Sequence, residues 1–443
     1  MNKFLFKQID NIGLVLFRIV FGALIAIEGF GAIATGWVRR TLIEPDFTFN
    51  FIGFDFLQPL PGNGMYFYFA IMGILGICIM LGYKYRWTML GFTLMWTSVY
   101  LMQKSSYNNH YYLLILLSAI MAILPAHRWF SLDAKLNPSI KSLSMPQWCK
   151  WVIILQVFIV FTYGSIAKMY PDWLDGTVPA LFMKGKKDYW LIGELLQQQW
   201  AHYTIAYFGL IFDLLIIPML LWKRTRLVGF YISIFFHLFN SIVFQIGIFP
   251  YMSIAFAFFF FSEKTLQKQF FPKKQLYIEG EIKIPSYKKP LLILLSTYFI
   301  IQLALPLRHW FIKDDVLWTE EGHRLSWRMM LRTKSAIISV YTKDKNNKNA
   351  PKKLYNYGKI LSKKQRRSFR TKPDMIWQLA QKIKQIEAEK GVDIAVYIKS
   401  RVKVNGGEYH LLLSPNIDLA SEEWNVFKHN TWLEPSPDDY HEQ

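Results

Sequence analysis

The chain has 443 residues and two cysteines, with 51 Lys/Arg against 31 Asp/Glu for a net charge of +20, yet 53% of it is hydrophobic and 17% aromatic. A soluble chain this basic is normally polar, so apolar and charged blocks must be segregated, which disfavours a plain soluble enzyme and a disordered chain. Two cysteines make at most one bridge, which disfavours a disulfide-stapled secreted domain.

A membrane-spanning helix needs about 20 mostly apolar residues. Nine such stretches follow one another, near residues 11–34, 66–82, 87–103, 110–124, 150–168, 202–222, 227–246, 248–262 and 290–307. The two that flank Gly247 are nearly continuous. The first is too long for a signal peptide and lacks a small-x-small cleavage site. Residues 190–200 are amphipathic and suit the membrane interface. After residue 307 the character changes to 25 Lys/Arg and 17 Asp/Glu with no spanning run. Residues 336–341, 394–404 and 409–414 read as strands, with Gly406 and Gly407 as a turn, and 374–390 as a polar-faced helix. The basic stretch 342–372 reads as a loop. The predicted fold is a polytopic α-helical membrane protein of about nine transmembrane helices, residues 1–307. A mixed, β-containing soluble C-terminal domain follows, residues 308–443.

Loop charge orients such a bundle, because Lys/Arg are retained on the cytoplasmic side. With nine helices and the N-terminus inside, 18 basic residues fall in inner segments and 6 in outer loops. The odd count places the C-terminal domain outside. Long domains cross largely regardless of their own charge.

Polar residues in or near the membrane are costly and mark functional sites by default. This topology gathers several at the outer level. Asn108, Asn109 and His110 open the fourth helix, Lys168 closes the fifth, and His237, Asn240 and Ser241 share a face of the seventh. Arg308 and His309 follow the ninth, and Glu28 lies in the outer half of the first. Each alone has an ordinary reading: a snorkelling lysine, an interfacial or core histidine, a phosphate-anchoring arginine. Independent decoration scatters over both sides, and this set does not. A lysine held at low dielectric loses part of its preference for charge and can act as a base. Histidine and asparagine can stabilise an oxyanion. No metal-ligand spacing, glycine-rich phosphate loop or nucleophile elbow occurs, and the topology signal in the charge gives no reason to invoke nucleic acid. A lysine base in a membrane points to a lipid-soluble acid such as a quinol.

Five stretches, in order, resemble the vitamin K-dependent γ-glutamyl carboxylase family and its bacterial relatives. They are residues 96–113 with Asn108-Asn109-His110, residues 163–176 with Lys168 ahead of Asp172-Trp173-Leu174-Asp175-Gly176, residues 236–251, residues 305–310, and residues 322–330 with Ser326-Trp327. They span roughly residues 10–345; the last hundred match loosely. The resemblance implies that Lys168 deprotonates a reduced vitamin K hydroquinone, of menaquinol type in a bacterium, and that His110 assists later steps. The quinol anion reacts with O2 to give a strongly basic alkoxide and finally the epoxide. That base removes a γ-proton from a protein glutamate, and the carbanion takes up CO2. Asn108, Asn109, His237, Asn240, Arg308, His309 and Trp327 are the expected quinol-binding, oxyanion-supporting or substrate-binding side chains. The resemblance also implies a bacterial inner membrane, a cytoplasmic N-terminus and a periplasmic C-terminal domain. The stretch before Ser326-Trp327 reads Gly322-His323-Arg324-Leu325 and lacks the family's tyrosine. Cys78 and Cys149 both fall near the inner side, so no disulfide to the outer domain is expected. Two alternatives stand beside this reading: a quinol epoxidase or oxygenase of the same fold without carboxylation, and a non-enzymatic quinone- or lipid-binding module.

Overall fold

In the computed structural model, which describes residues 2–329, 331–347 and 349–437, all nine apolar stretches are helical. They are α1 Ile12–Ala34, α2 Gly64–Leu81, α3 Tyr85–Met102, α4 Asn109–Ile123, α5 Trp148–Ile166, α6 Gln199–Leu221, α7 Arg226–Phe244, α8 Phe249–Ala255 and α9 Lys288–Ala304. Six are long and apolar enough to cross a membrane: α1, α2, α5, α6, α7, and α9 with its extension to Phe311. Helix α4 and the run Phe249–Phe259 are apolar but shorter. Arg86, the threonines and the aromatic hydroxyls dilute α3. Residues 245–248 break what reads as a near-continuous run, because Gln245 and Gly247 both adopt positive φ.

Helices α1 and α2 pack through small residues. A Cβ on Gly22 would lie 2.3 Å from the Met80 nitrogen, and one on Gly76 would lie 2.6 Å from that of Ala26. Such backbone contact is how helices associate where lipid supplies no hydrophobic drive.

The C-terminal region is a four-stranded antiparallel sheet, order Lys353–Leu354, Lys334–Asp344, Ile394–Val404, His410–Leu411. The long central pair aligns Lys334 with Val404 and Asp344 with Ile394. Helix α11 Pro373–Glu389 covers it with Met375, Ile376, Leu379, Ala380 and Ile383, all fully buried. The basic stretch 342–372 is not a loop throughout. It contributes an edge strand and α10 Lys363–Phe369, whose capping box joins Ser362 and Gln365 and whose Phe369 is fully buried. Both cysteines are free.

The connections gather at two ends. At one, Gln8–Asp10 pairs with Ser144–Pro146, Asp10 binds Lys274, and Asp133 accepts from the backbone nitrogens of Lys84 and Tyr85. At the other, Phe49 enters the C-terminal core and stacks on Phe369. There Ser368 donates to Ser105 O, and Asn405 donates to Asp172. These two ends gather the two sets of loops that the charge count separates, and the end that meets the sheet domain is the one that count expects outside.

Candidate active site

Lys168 sits just beyond the C-terminus of α5 and forms an ion pair with Asp213 Oδ2 in the middle of α6. Their side chains are 12% and 8% exposed. The Lys168 ammonium also lies 5.7 Å from the Trp173 ring. Asp213 escaped the sequence reading, although it is the single charged residue of α6 and a buried intramembrane carboxylate is a functional signal in itself.

His110 lies on the first turn of α4, stacked on Phe249 with ring centres 4.1 Å apart. It lines a cavity of about 890 Å³ together with Asn108, Glu28, Tyr111 and Gln245. The rest of the lining is mainly apolar, from α1, α4 and α8. Glu28 accepts a 2.8 Å hydrogen bond from the Tyr111 hydroxyl. Asn108 caps α4, accepting from the Tyr111 nitrogen at 2.7 Å. Asn109 is a tie instead: it donates to Arg328 O at 2.9 Å and accepts from Tyr107 at 2.8 Å.

Lys168 is not among the residues lining that cavity. Aromatic rings join the two centres. His237 is 1% exposed, lies edge-on to both Phe212 and Phe249, and has no protein hydrogen-bond partner on either ring nitrogen. Phe212 precedes Asp213 in α6, and Phe249 carries His110. Asn240, one turn further along α7, is half-buried and does not line the cavity.

Residues 322–329 run between these centres and the C-terminal domain. Trp327 is fully buried at φ +58 and stacks on Tyr112 at 4.9 Å, so it plugs the helical core. Met329 Cε lies within 3.7 Å of where a Gly164 Cβ would stand, and the same Cβ would meet Asp213. Met330 of this stretch lies outside the described residues.

Beyond it opens a smaller cavity of about 250 Å³, where Arg324, Arg332, Lys334 and Lys372 face one lining carboxylate, Glu320. Arg332 and Lys334 share Glu320, while Arg324 and Lys104 share Asp374. Burial raises Asp374, but Arg324 and Lys104 outweigh it and its carboxyl falls to about 2. Burial depresses Lys104, Lys334 and Lys372 to about 8. Burial and then Arg332 hold His323 well below the usual histidine range. Arg308 belongs here too: it donates to Arg324 O and lines the adjoining space with Lys104 and Asp374. His309 is held against Pro306 O at 2.8 Å and faces Arg328 at 3.4 Å. Sequence reasoning reached Arg308 and His309 but missed the other cations, because charges 220 residues apart in the chain meet only in the fold. No group of three or more His, Cys, Asp or Glu able to hold a metal occurs among the described residues.

Residues 6–264 match the HTTM domain, and residues 287–439 match the lumenal domain of vitamin K-dependent gamma-carboxylase. An integral membrane protein with a bundle of spanning helices and a polar end next to a C-terminal sheet domain is the class that this architecture defines. The chain belongs to the vitamin K-dependent gamma-carboxylase family. No solved structure gives a significant match.

Proposed function

We propose that this chain is a membrane γ-carboxylase that couples oxygen-dependent epoxidation of a menaquinol-type hydroquinone to carboxylation of protein glutamate. The Lys168–Asp213 pair is the observation that carries the reading. The ammonium and carboxylate together hold one proton. A proton leaving the quinol hydroxyl crosses from the His110 cavity by way of His237, whose two ring nitrogens have no protein partner, to Lys168, while the Lys168 proton moves onto Asp213, leaving ammonium and carboxylic acid. A phenolic hydroxyl with an ordinary pKa of about 10 is a fitting donor.

The apolar cavity suits a quinol ring in volume and lining, since such sites run from about 300 to 1,000 Å³ with a few convergent polar groups. His110, Asn108 and the Glu28–Tyr111 pair supply those groups. The hydroquinone and O2, when bound, supply the strong base that glutamate carboxylation requires. Trp327 and the ring path through Phe212 and Phe249 keep water from the outer end, which protects a strong base from quenching. The cation-lined cavity offers a receptor for the substrate carboxylate, with Arg308 and His309 at its membrane side. We place the N-terminus in the cytoplasm of a bacterium and the sheet domain in the periplasm, supported by the 18-to-6 loop charge bias.

The test is a paired assay on the reconstituted full chain, with reduced menaquinone, labelled bicarbonate and a glutamate-rich peptide. Epoxide and incorporated label appearing together support the carboxylase. Epoxide without label leaves a quinol oxygenase of the same fold, and neither product removes the enzyme reading.

A further inference from the structure

A second apolar cavity, of about 600 Å³, lies at the opposite end of the bundle. It is bounded by α1, the last residues of α2 and the loop after α4, with Ile19, Met80, Leu81 and Phe130 in its wall. It shares no residue with the cavity around His110. Three cations line it: Arg18, Lys135 and Lys141. Arg18 is 1% exposed and donates to the carbonyls of Ala126, Trp129 and Phe130, yet its Nε has no partner. Lys135 and Lys141 are exposed, and no carboxylate pairs with either among the described residues.

We infer that this cavity binds an anionic phospholipid. One wall is the apolar flank of two spanning helices, Ile19 with Met80 and Leu81, and the other is the segment after α4 with Trp129, Phe130 and Leu132, so an acyl chain finds there surroundings like those of the bilayer. Its rim carries unpaired positive charge where the headgroup layer lies, and basic pockets between helices recognise anionic headgroups in this way. Phe130 and Leu136 stand 58% and 70% exposed beside it, as interfacial side chains do. A free phosphate has no use for the apolar wall, and a neutral quinone has none for the lysines.

Trp129 lines the cavity and serves as the reporter. The full chain in detergent is titrated with brominated phosphatidylglycerol and with brominated phosphatidylcholine while tryptophan quenching is followed. A saturable component is expected that disappears in Trp129→Phe and favours phosphatidylglycerol. Each lysine near an anionic headgroup layer contributes about 1 kcal/mol, so Lys135→Gln with Lys141→Gln is expected to weaken that preference about 30-fold, and either alone about fivefold. Lys223→Gln, at the same end but outside the cavity, is expected to keep it. Equal affinity for the two lipids, a component unaffected by Trp129→Phe, or its displacement by millimolar inorganic phosphate overturns the inference.

Discussion

Two buried lysine–aspartate pairs sit at opposite ends of this bundle, and they differ in saturation. At the inner end Lys274 bonds both oxygens of Asp10, at 2.8 and 2.6 Å. Those oxygens also accept from the backbone nitrogens of Ile12 and Tyr277. Neither side chain is exposed at all. At the outer end Lys168 meets a single oxygen of Asp213, and both side chains keep some exposure. A saturated buried pair has nothing left to offer a ligand and ties the segment around Lys274 to the N-terminal strand. An unsaturated one retains acceptor capacity and can move a proton. The residue types are the same in both pairs; the count of satisfied lone pairs separates the pair that serves as scaffold from the pair proposed to react.

The comparison can be broken at either pair. The largest effect expected on stability is from Asp10→Ala, which leaves Lys274 buried and uncompensated. It should cost about 3–5 kcal/mol, read as a lowered thermal midpoint, while epoxide formed per folded molecule stays near wild type. Asp213→Asn keeps the shape of the outer pair and removes its proton acceptor. Loss of a positioned proton acceptor costs about 100-fold or more in rate, so steady-state epoxide formation should fall about 100-fold, with a smaller fall in midpoint than Asp10→Ala causes because this pair is partly exposed.

The smallest effect concerns pH at the cation-lined cavity. Lys104, Lys334 and Lys372 are charged below about 8 and lose charge above it. Apparent affinity for a glutamate peptide should therefore be full below that pH and weaken several-fold above it, checked as KM against pH. Stability should move the opposite way. Between about 8 and the unfolded value of 10.5 the unfolded chain binds more protons, so these lysines make stability rise with pH across that window.

Much of the helical architecture was legible because apolar runs of spanning length have few other uses. The two-ended grouping of loops was legible from charge alone, and the contacts of Asp10 with Lys274 and of Phe49 with Phe369 agree with it. The α10 region was not legible. Its lysines and arginines outnumber its apolar residues, and only the Ser362–Gln365 box and the burial of Phe369 reveal a helix. Single polar residues such as Lys168 and His110 stood out against apolar surroundings. Asp213 is equally visible by that criterion, a lone carboxylate in the middle of an apolar helix, but its partner lies 45 residues away and only the fold brings the two together. The clustering of Arg324, Arg332, Lys334 and Lys372 with Lys104 had no local signature, since each lies in an ordinary basic stretch until the sheet domain docks.

The most direct test compares epoxide formation per folded molecule in Lys168→Ala and Lys274→Ala, with folded protein quantified by thermal melt. Loss of a positioned acid–base group costs about 100- to 10,000-fold, so Lys168→Ala should lose at least 100-fold, with a smaller fall in midpoint than Lys274→Ala because the outer pair is partly exposed and makes fewer bonds. Lys274→Ala should melt earlier yet turn over at nearly the wild-type rate. Wild-type turnover in Lys168→Ala, or equal losses at the two lysines, would contradict the assignment of Lys168 and Asp213 as the reactive pair.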